Sequence, residues 1–200
     1  DPERAVVAAV GAQAPREEVS SEADIAPQGR GSRRAHRPNE STRAMMSQDL
    51  MHSRVARLTA ELAGRTLDGA LDAWLNEHHG SGSRTFQEIA ESIRAGVAEG
   101  WLCVREGGGV RYGRIFKPSE ALSGFSVDVV DMADIAGPHH AHPNGEIDLI
   151  LPVDADAQFD GRGAGWLVYP PGSAHRPTVR QGRAYVLYLL PAGAIEFTKV

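Results

Sequence analysis

The sequence predicts a mainly β fold, with a helical N-terminal part followed by a C-terminal antiparallel β-barrel or sandwich. From Gly124 onward, short runs rich in Val, Ile, Leu and Tyr alternate with Gly, Pro, Asn and Asp. Short strands with regular turns and no helices between them are typical of closed antiparallel folds. Between about 52 and 100 the apolar residues instead recur every three or four positions, which predicts helices.

Composition narrows the class of protein. Apolar side chains make up 42% of the 200 residues and the formal net charge is −5, values that are ordinary for a globular protein. The mild acidity argues against binding to nucleic-acid phosphates, so we expect no nucleic-acid partner. The single cysteine excludes an intrachain disulfide, and neither a membrane-spanning run nor a signal-peptide pattern is present. We therefore expect a cytoplasmic protein without a membrane partner.

Residues 1–48 are predicted to form a disordered tail. They contain almost no large apolar side chains and many Ala, Ser, Pro, Glu and Arg. Such a segment cannot bury enough surface to offset the entropy lost on ordering. The basic string RGSRRAHRP within it could contact nucleic acid, but acidic residues upstream balance its charge, and we interpret it as solvated.

Residues 52–118 are predicted to form three helices and a β-hairpin. The apolar faces of the helices comprise Val55, Leu58 and Leu62; Leu67, Leu71, Trp74 and Leu75; and Phe86, Ile89, Ile93 and Val97. Gly64, Gly80 and Gly100 follow the three patterns and predict their ends. Thr85 and Glu88 have capping-box spacing at the start of the third helix. The string WLCVREGGGVRYGRIF then reads as two short strands around a glycine turn.

Three helices followed by a hairpin also match the outline of a winged-helix DNA-binding module. The third helix, however, carries Gln87, Glu88, Glu91 and Glu99 with only Arg94 as a base. A recognition helix that lies against phosphates is normally more basic. The winged-helix interpretation is therefore the alternative, and a barrel from 119 to 200 with a helical lead-in is the prediction.

The string GPHHAHPNGEIDLI, residues 137–150, places three histidines and two carboxylates close together. Imidazole and carboxylate are the usual side-chain ligands of catalytic transition metals. His140 and His142 are two residues apart, so on a strand both imidazoles share a face and can reach one ion. The PNG turn can return Glu146 to the same ion, and His175, after a Pro-Gly turn, is the fourth candidate ligand.

The sequence alone does not decide the roles of two neighbouring residues, His139 and Asp148. His139 would point to the opposite face of the strand from His140, which favours a supporting or surface position. Asp148 shares the parity of Glu146 and could either orient a ligand histidine or lie in solvent.

Two motifs in this region resemble those of the cupin superfamily. His140-Ala-His142, three residues and Glu146 resemble the first cupin motif, and the string PPGSAH ending at His175 resembles the second, Pro-x-Gly-x-x-His. The resemblance implies a compact jelly-roll barrel in which these four residues are metal ligands. Val179 departs from the second motif, because many cupins have Asn there, and this position is usually structural.

A more specific resemblance covers most of residues 54–200. The helical lead-in and the strings PHHAHPNGEIDLI, AGWLVYPPGSAHRPTV and YLLPAGAIEFT are similar to the 4-hydroxylaminobenzoate lyase family of nitroaromatic degradation. Members of that family convert 4-hydroxylaminobenzoate to 3,4-dihydroxybenzoate and release ammonia. The resemblance implies a lyase whose substrate is a small aromatic carboxylate. As a small cupin, the chain is also expected to form a homodimer.

The expected chemistry needs a metal and a cation. Three nitrogens and one carboxylate suit Fe²⁺, Mn²⁺, Ni²⁺, Co²⁺ or Zn²⁺, so the element stays open. An aryl carboxylate needs a cation, and Arg176 directly follows a ligand. The other candidate cations are Arg183, Arg114 and Lys117, and the strand tyrosines Tyr169, Tyr185 and Tyr188 could contact substrate or donate a proton.

Two other classes of function share these residues. An iron dioxygenase acting on an aromatic ring uses the same ligand types, and oxygen uptake during turnover would distinguish it. A regulator that combines a winged-helix segment with a small-molecule-sensing cupin would bind duplex DNA in a salt-dependent manner.

Overall fold

The structure is a computed structural model that describes residues 39–198. Within this range its three α-helices are α1 (Glu40–Leu62), α2 (Gly69–His79) and α3 (Arg84–Ala98), and a short 3-10 helix spans Glu120–Leu122. They are followed by β1 (Arg105–Gly107), β2 (Val110–Phe116), β3 (Phe125–Ala133), β4 (His140–His142), β5 (Glu146–Pro152), β6 (Gln158–Phe159), β7 (Gly165–Tyr169), β8 (Ser173–His175), β9 (Val179–Arg180), β10 (Arg183–Pro191) and β11 (Glu196–Phe197). No helix in this range has the length and apolarity that a bilayer crossing requires.

The strands form three antiparallel sheets. The largest has the order β1-β2-β3-β10-β5-β7, and the smaller ones have the orders β11-β4-β8 and β6-β9. They enclose a cupin-type barrel, and the predicted fold class is confirmed. The hairpin β1–β2 joins this sheet through β3, so it is an edge of the barrel and not the wing of a separate module.

The two faces of the large sheet bury different sets of residues because side chains alternate along each strand. One face packs against the helices, and its residues include Val127, Val129, Ile147, Leu149, Leu187 and Leu189. The opposite face lines the barrel interior, and its residues include Val130, Met132, Ile150, Val186 and Leu190. From the helices, Leu58, Phe86 and Ile89 enter the first of these clusters. The helices thus share one core with the outer face of the sheet, and the barrel interior forms a second core.

The first helix begins earlier than the sequence predicted. The side chain of Asn39 accepts a hydrogen bond from the Thr42 backbone N–H at 2.8 Å and caps the helix. Residues 40–48, assigned to the disordered tail, are therefore helical, and that boundary was wrong. Residues 40–50 of this helix are mostly exposed, so no buried stripe marks them in the sequence. The rest of the predicted tail, residues 1–38, lies outside the described residues.

The cap of α3 also differs from the prediction. Ser83, not Thr85, is the N-cap, and its hydroxyl accepts from the Phe86 backbone N–H at 3.1 Å. Glu88 instead accepts from Arg84 Nε at 2.7 Å on the helix surface. Two hydroxyl residues stand near this helix start, and the one that lies in extended backbone before the first turn forms the cap.

Candidate metal centre

Strand register and one glycine turn bring the predicted ligands together. His140 and His142 lie on β4, and His140 is paired directly with His175 of the antiparallel strand β8. The turn after His142 places Gly145 at φ +83°, where a β-carbon would come within 2.7 Å of the Tyr169 carbonyl oxygen. Only glycine fits this turn without strain, and β5 then begins with Glu146.

The four side chains converge on one point inside the barrel. One donor atom from each lies within 4.8 Å of the others. His140 Nε2 is 3.1 Å from His175 Nε2, and His142 Nδ1 is 3.2 Å from Glu146 Oε2. Glu146 Oε1 is 3.7 Å from His175 Nε2. All except the half-buried His175 are buried, so the cluster is shielded from bulk water.

The chemistry of the cluster fits a divalent cation. His142 Nδ1 and Glu146 Oε2 are 3.2 Å apart but form no hydrogen bond, and both ring nitrogens of His142 and both carboxylate oxygens of Glu146 are buried without a hydrogen-bond partner among residues 39–198. Leaving such groups unpaired is costly, and coordination to a cation would satisfy them. Burial lowers the pKa of His140 to about 4, although the charge of Glu146 opposes this shift. A neutral imidazole is the form that binds metals.

Asp160 orients His175. Its carboxylate Oδ2 accepts from His175 Nδ1 at 2.6 Å and from the Tyr169 hydroxyl at 2.5 Å. Its other oxygen accepts from the Thr178 backbone N–H at 2.8 Å. Burial raises the pKa of Asp160, but the hydrogen bonds from His175 and Tyr169 outweigh it and lower the pKa overall. With Nδ1 engaged, Nε2 of His175 faces the cluster, as in carboxylate–histidine–metal triads.

Asp148 has neither of the roles considered from the sequence. It is fully buried, so it is not a solvated strand residue, and neither of its oxygens bonds a histidine among the described residues. It lies on the same inner face of β5 as Glu146, two residues further along the strand. Burial, together with the neighbouring charge of Glu146, raises the pKa of Asp148 well above its usual range.

Tyr169 lines the metal centre, whereas His139 lies outside it. The Tyr169 ring stacks on His142 with centroids 5.5 Å apart, and its hydroxyl is held by Asp160. His139 Nδ1 contacts the Thr198 hydroxyl and takes no part in the cluster. Of the two, only Tyr169 forms part of the wall around the predicted ligands.

The structure directs Arg183, one of the predicted carboxylate-binding residues, away from the cluster. Arg183 lies on the helix-facing side of the sheet, where Nε and Nη2 donate to Asp131 at 2.7 and 2.6 Å. It shares strand parity with Leu187, and this parity turns it away from the barrel interior. Arg176 is exposed and donates to the Gly137 carbonyl oxygen at 3.1 Å.

Replacing Asp160 with asparagine should weaken metal binding by about 10-fold to 100-fold, the usual effect of removing a group that orients a metal ligand. The asparagine keeps the shape but removes the charge that holds the His175 N–H. The measurement is a chelator competition titration of the metal-loaded protein. Asp156→Asn is the matched control, because Asp156 is an exposed carboxylate on the connection just before β6. Equal metal affinities for the two variants would contradict the assigned role.

Comparison with known proteins gives a family model and two relatives that are all described as 4-hydroxylaminobenzoate lyase. The model of the family described as PnbB: 4-hydroxylaminobenzoate lyase matches residues 53–197. A 4-hydroxylaminobenzoate lyase of Nocardioides sp. (strain LMS-CY) is 36% identical over 159 residues, covering 75% of this chain and 94% of that protein. One of Pseudomonas putida is 34% identical over 155 residues, covering 69% and 88%. The family match runs from α1 to β11 and contains all four residues of the cluster.

Solved structures with similar folds are more distant. The crystal structure of the DMSP lyase DddQ from Ruegeria pomeroyi DSS-3 has a TM-score of 0.40 and 18% identity, covering 64% of this chain and 75% of that one. An oxalate oxidase in complex with the substrate analogue glycolate has a TM-score of 0.35 and 21% identity, covering 45% and 55%. Similarity at this level concerns the fold alone.

Proposed function

The chain belongs to the 4-hydroxylaminobenzoate lyase family, and we propose that it converts 4-hydroxylaminobenzoate to 3,4-dihydroxybenzoate and ammonia in nitroaromatic degradation. The proposed centre is a divalent transition metal held by His140, His142, Glu146 and His175. The observation that carries the proposal is the buried convergence of these side chains within the region matched by the family. The element is left open among Fe, Mn, Ni, Co and Zn, because all accept this donor set.

The proposed reaction is balanced without an external oxidant. One aryl hydroxylamine and one water give one catechol and one ammonia: the N–O bond breaks, a ring C–O bond forms, and the C–N bond is hydrolysed. A divalent metal held by His140, His142, Glu146 and His175 would supply Lewis acidity to this reaction and would lower the pKa of a bound water.

The protein's own residues position this chemistry. Asp160 fixes the direction of His175, and Tyr169 covers His142 with its ring. The Tyr169 hydroxyl is already held by Asp160, and burial raises its pKa, so we assign Tyr169 to the wall of the metal centre and not to proton donation. Arg183 faces away from the cluster, and we do not propose it for substrate binding.

Product formation without oxygen tests this proposal. Purified protein given 4-hydroxylaminobenzoate under anaerobic conditions should release ammonia and 3,4-dihydroxybenzoate in equal amounts. Complete removal of metal by a chelator should stop both, and adding back a single divalent metal should restore both. Turnover that survives complete metal removal would contradict the metal role, whereas a strict need for oxygen would favour the dioxygenase alternative.

A further inference from the structure

A cavity adjoins the candidate metal centre on the inner face of the large sheet. Its lining is mostly apolar. Sites for small aromatic molecules are typically clefts with apolar walls and a few polar groups. His140 lies in one part of the wall and Arg114 in another. A molecule in this cavity can therefore contact a predicted metal ligand and a guanidinium group at once.

Strand register places Arg114 in a polar row that crosses this face. Arg114 is paired with Asp128, Asp128 with Tyr188, and Tyr188 with Asp148. Side chains of directly paired residues on one face lie roughly 5 Å apart. The row thus runs from Arg114 to Asp148, which lies two residues after the predicted ligand Glu146. The next row on the same face consists of apolar residues, namely Val130, Val186 and Ile150, with Tyr112 at its end.

The guanidinium of Arg114 does not use all of its N–H donors in hydrogen bonds within the protein. Its Nε donates to Asp128 at 2.9 and 3.2 Å, and Nη2 donates to the Gly193 carbonyl oxygen at 3.2 Å. Arginine carries five N–H donors, and Nη1 bonds no other group within residues 39–198. Burial raises the pKa of Asp128 to about 6, even though Arg114 opposes the shift. The pair holds Arg114 in place without using all of its donors.

Three other arginines near the barrel do not line this cavity. Arg111 and Arg183 approach Asp131 on the helix-facing side of the sheet, and Arg176 is exposed. Among the arginines and lysines of the described range, Arg114 is the one that lines this cavity.

We propose that Arg114 binds the carboxylate of an aromatic acid whose ring occupies the cavity between Arg114 and His140. Charged and planar, the guanidinium suits a carboxylate, and the apolar walls suit an aryl ring. The substrate identity rests on the proposed function, but the binding of an aromatic acid does not. Asp128 competes with the ligand carboxylate for the same cation and so limits the affinity.

Titration calorimetry with three unreactive probes tests this assignment. The probes are benzoate, 4-hydroxybenzoate and the neutral benzamide, added to the metal-loaded protein and to the chelated protein. Arg114→Gln should weaken binding of both acids by about 10-fold to 100-fold, the usual effect of losing a charge-assisted hydrogen bond, and should leave benzamide unchanged. Arg176→Gln is the matched control and should bind all three probes as the wild type does.

A second pair of variants separates binding from folding. Asp128→Asn removes the competing charge and should tighten acid binding, an effect that a purely structural ion pair would not produce. If Arg114→Gln fails to fold because Asp128 is left buried and unpaired, the double variant with Asp128→Asn removes both charges and should still lose preference for the acids.

The outcomes distinguish this inference from the proposed function. Wild-type affinity for 4-hydroxybenzoate in the folded Arg114→Gln variant would overturn the inference. The inference would also be overturned if the acids bound only to the metal-loaded protein and the Arg114→Gln substitution did not weaken that binding. Arg114-dependent acid binding by a protein that never releases ammonia would leave the inference standing and refute the lyase proposal. With turnover present, Arg114→Gln should raise KM for 4-hydroxylaminobenzoate while N-phenylhydroxylamine is processed as before.

Discussion

Replacing His140 with alanine should strip the metal from the purified protein and lower turnover of 4-hydroxylaminobenzoate by about 100-fold or more. The imidazole Nε2 of His140 lies 3.1 Å from that of His175 and is one of four converging donors. A Lewis-acid metal supplies several kcal/mol of transition-state stabilisation, and each 1.4 kcal/mol or so is a factor of ten in rate. Metal analysis and ammonia release measure the two effects.

His139 provides the matched control for this variant. It is the adjacent residue, but its imidazole contacts Thr198 and lies outside the cluster. His139→Ala should therefore keep both metal and activity. Thermal unfolding of both variants checks that each is folded before the comparison is made. Full metal content in His140→Ala would refute the assigned ligand set.

The cluster could be predicted from the sequence because its geometry is mostly local. His140 and His142 share a face by strand alternation, and a three-residue turn places Glu146 beside them. His175 was a candidate because it follows a Pro-Gly turn, and the resemblance to the second cupin motif implied that it is a ligand. Local spacing could not place it, because its pairing with His140 joins segments far apart in the chain. The structure brings these four together as predicted, while metal binding itself stays a prediction.

Asp160 could not be predicted in the same way. It lies just after the two-residue strand β6, which pairs with β9 near His175. Its φ of 47° and the Gly161 that follows are typical of a turn, which gives no indication of what the carboxylate contacts. From the sequence, Asp148 was considered for this role because it shares the parity of Glu146, with a solvated position as the equal alternative. Which carboxylate reaches His175 depends on a long-range pairing that no local spacing encodes.

The misplacement of Arg183 has a different physical cause. The strand RAYVLYLLP is apolar on both faces, because one face packs on the helices and the other lines the barrel. Where both faces are buried, alternation of hydrophobicity cannot show which one is the interior. Arg114 was one of several candidate cations in the sequence, and its inward direction follows from its pairing with Asp128.

Helices and barrel are held together by Trp166, which lies on the helix-facing side of β7. It is 1% exposed, its Nε1 donates to the His79 carbonyl oxygen at 2.7 Å, and its ring meets Phe86 edge-on. The Asn76 side chain bonds both the backbone N–H and the carbonyl oxygen of Trp166 at 2.9 Å. We propose from these contacts that the helical segment and the barrel unfold as one unit, although the sequence predicted them as separate segments.

Trp166→Ala should therefore lower the free energy of unfolding by about 3–5 kcal/mol, the usual effect of removing a buried tryptophan, and the melting temperature by roughly 6–20 °C. Trp74→Ala is the control and should have a clearly smaller effect, because Trp74 is only partly buried. Far-ultraviolet circular dichroism at helix and sheet wavelengths, followed together, should give coincident transitions in both variants. Two separate transitions, with Trp166→Ala shifting only one of them, would show that the shared core does not couple the helices to the barrel.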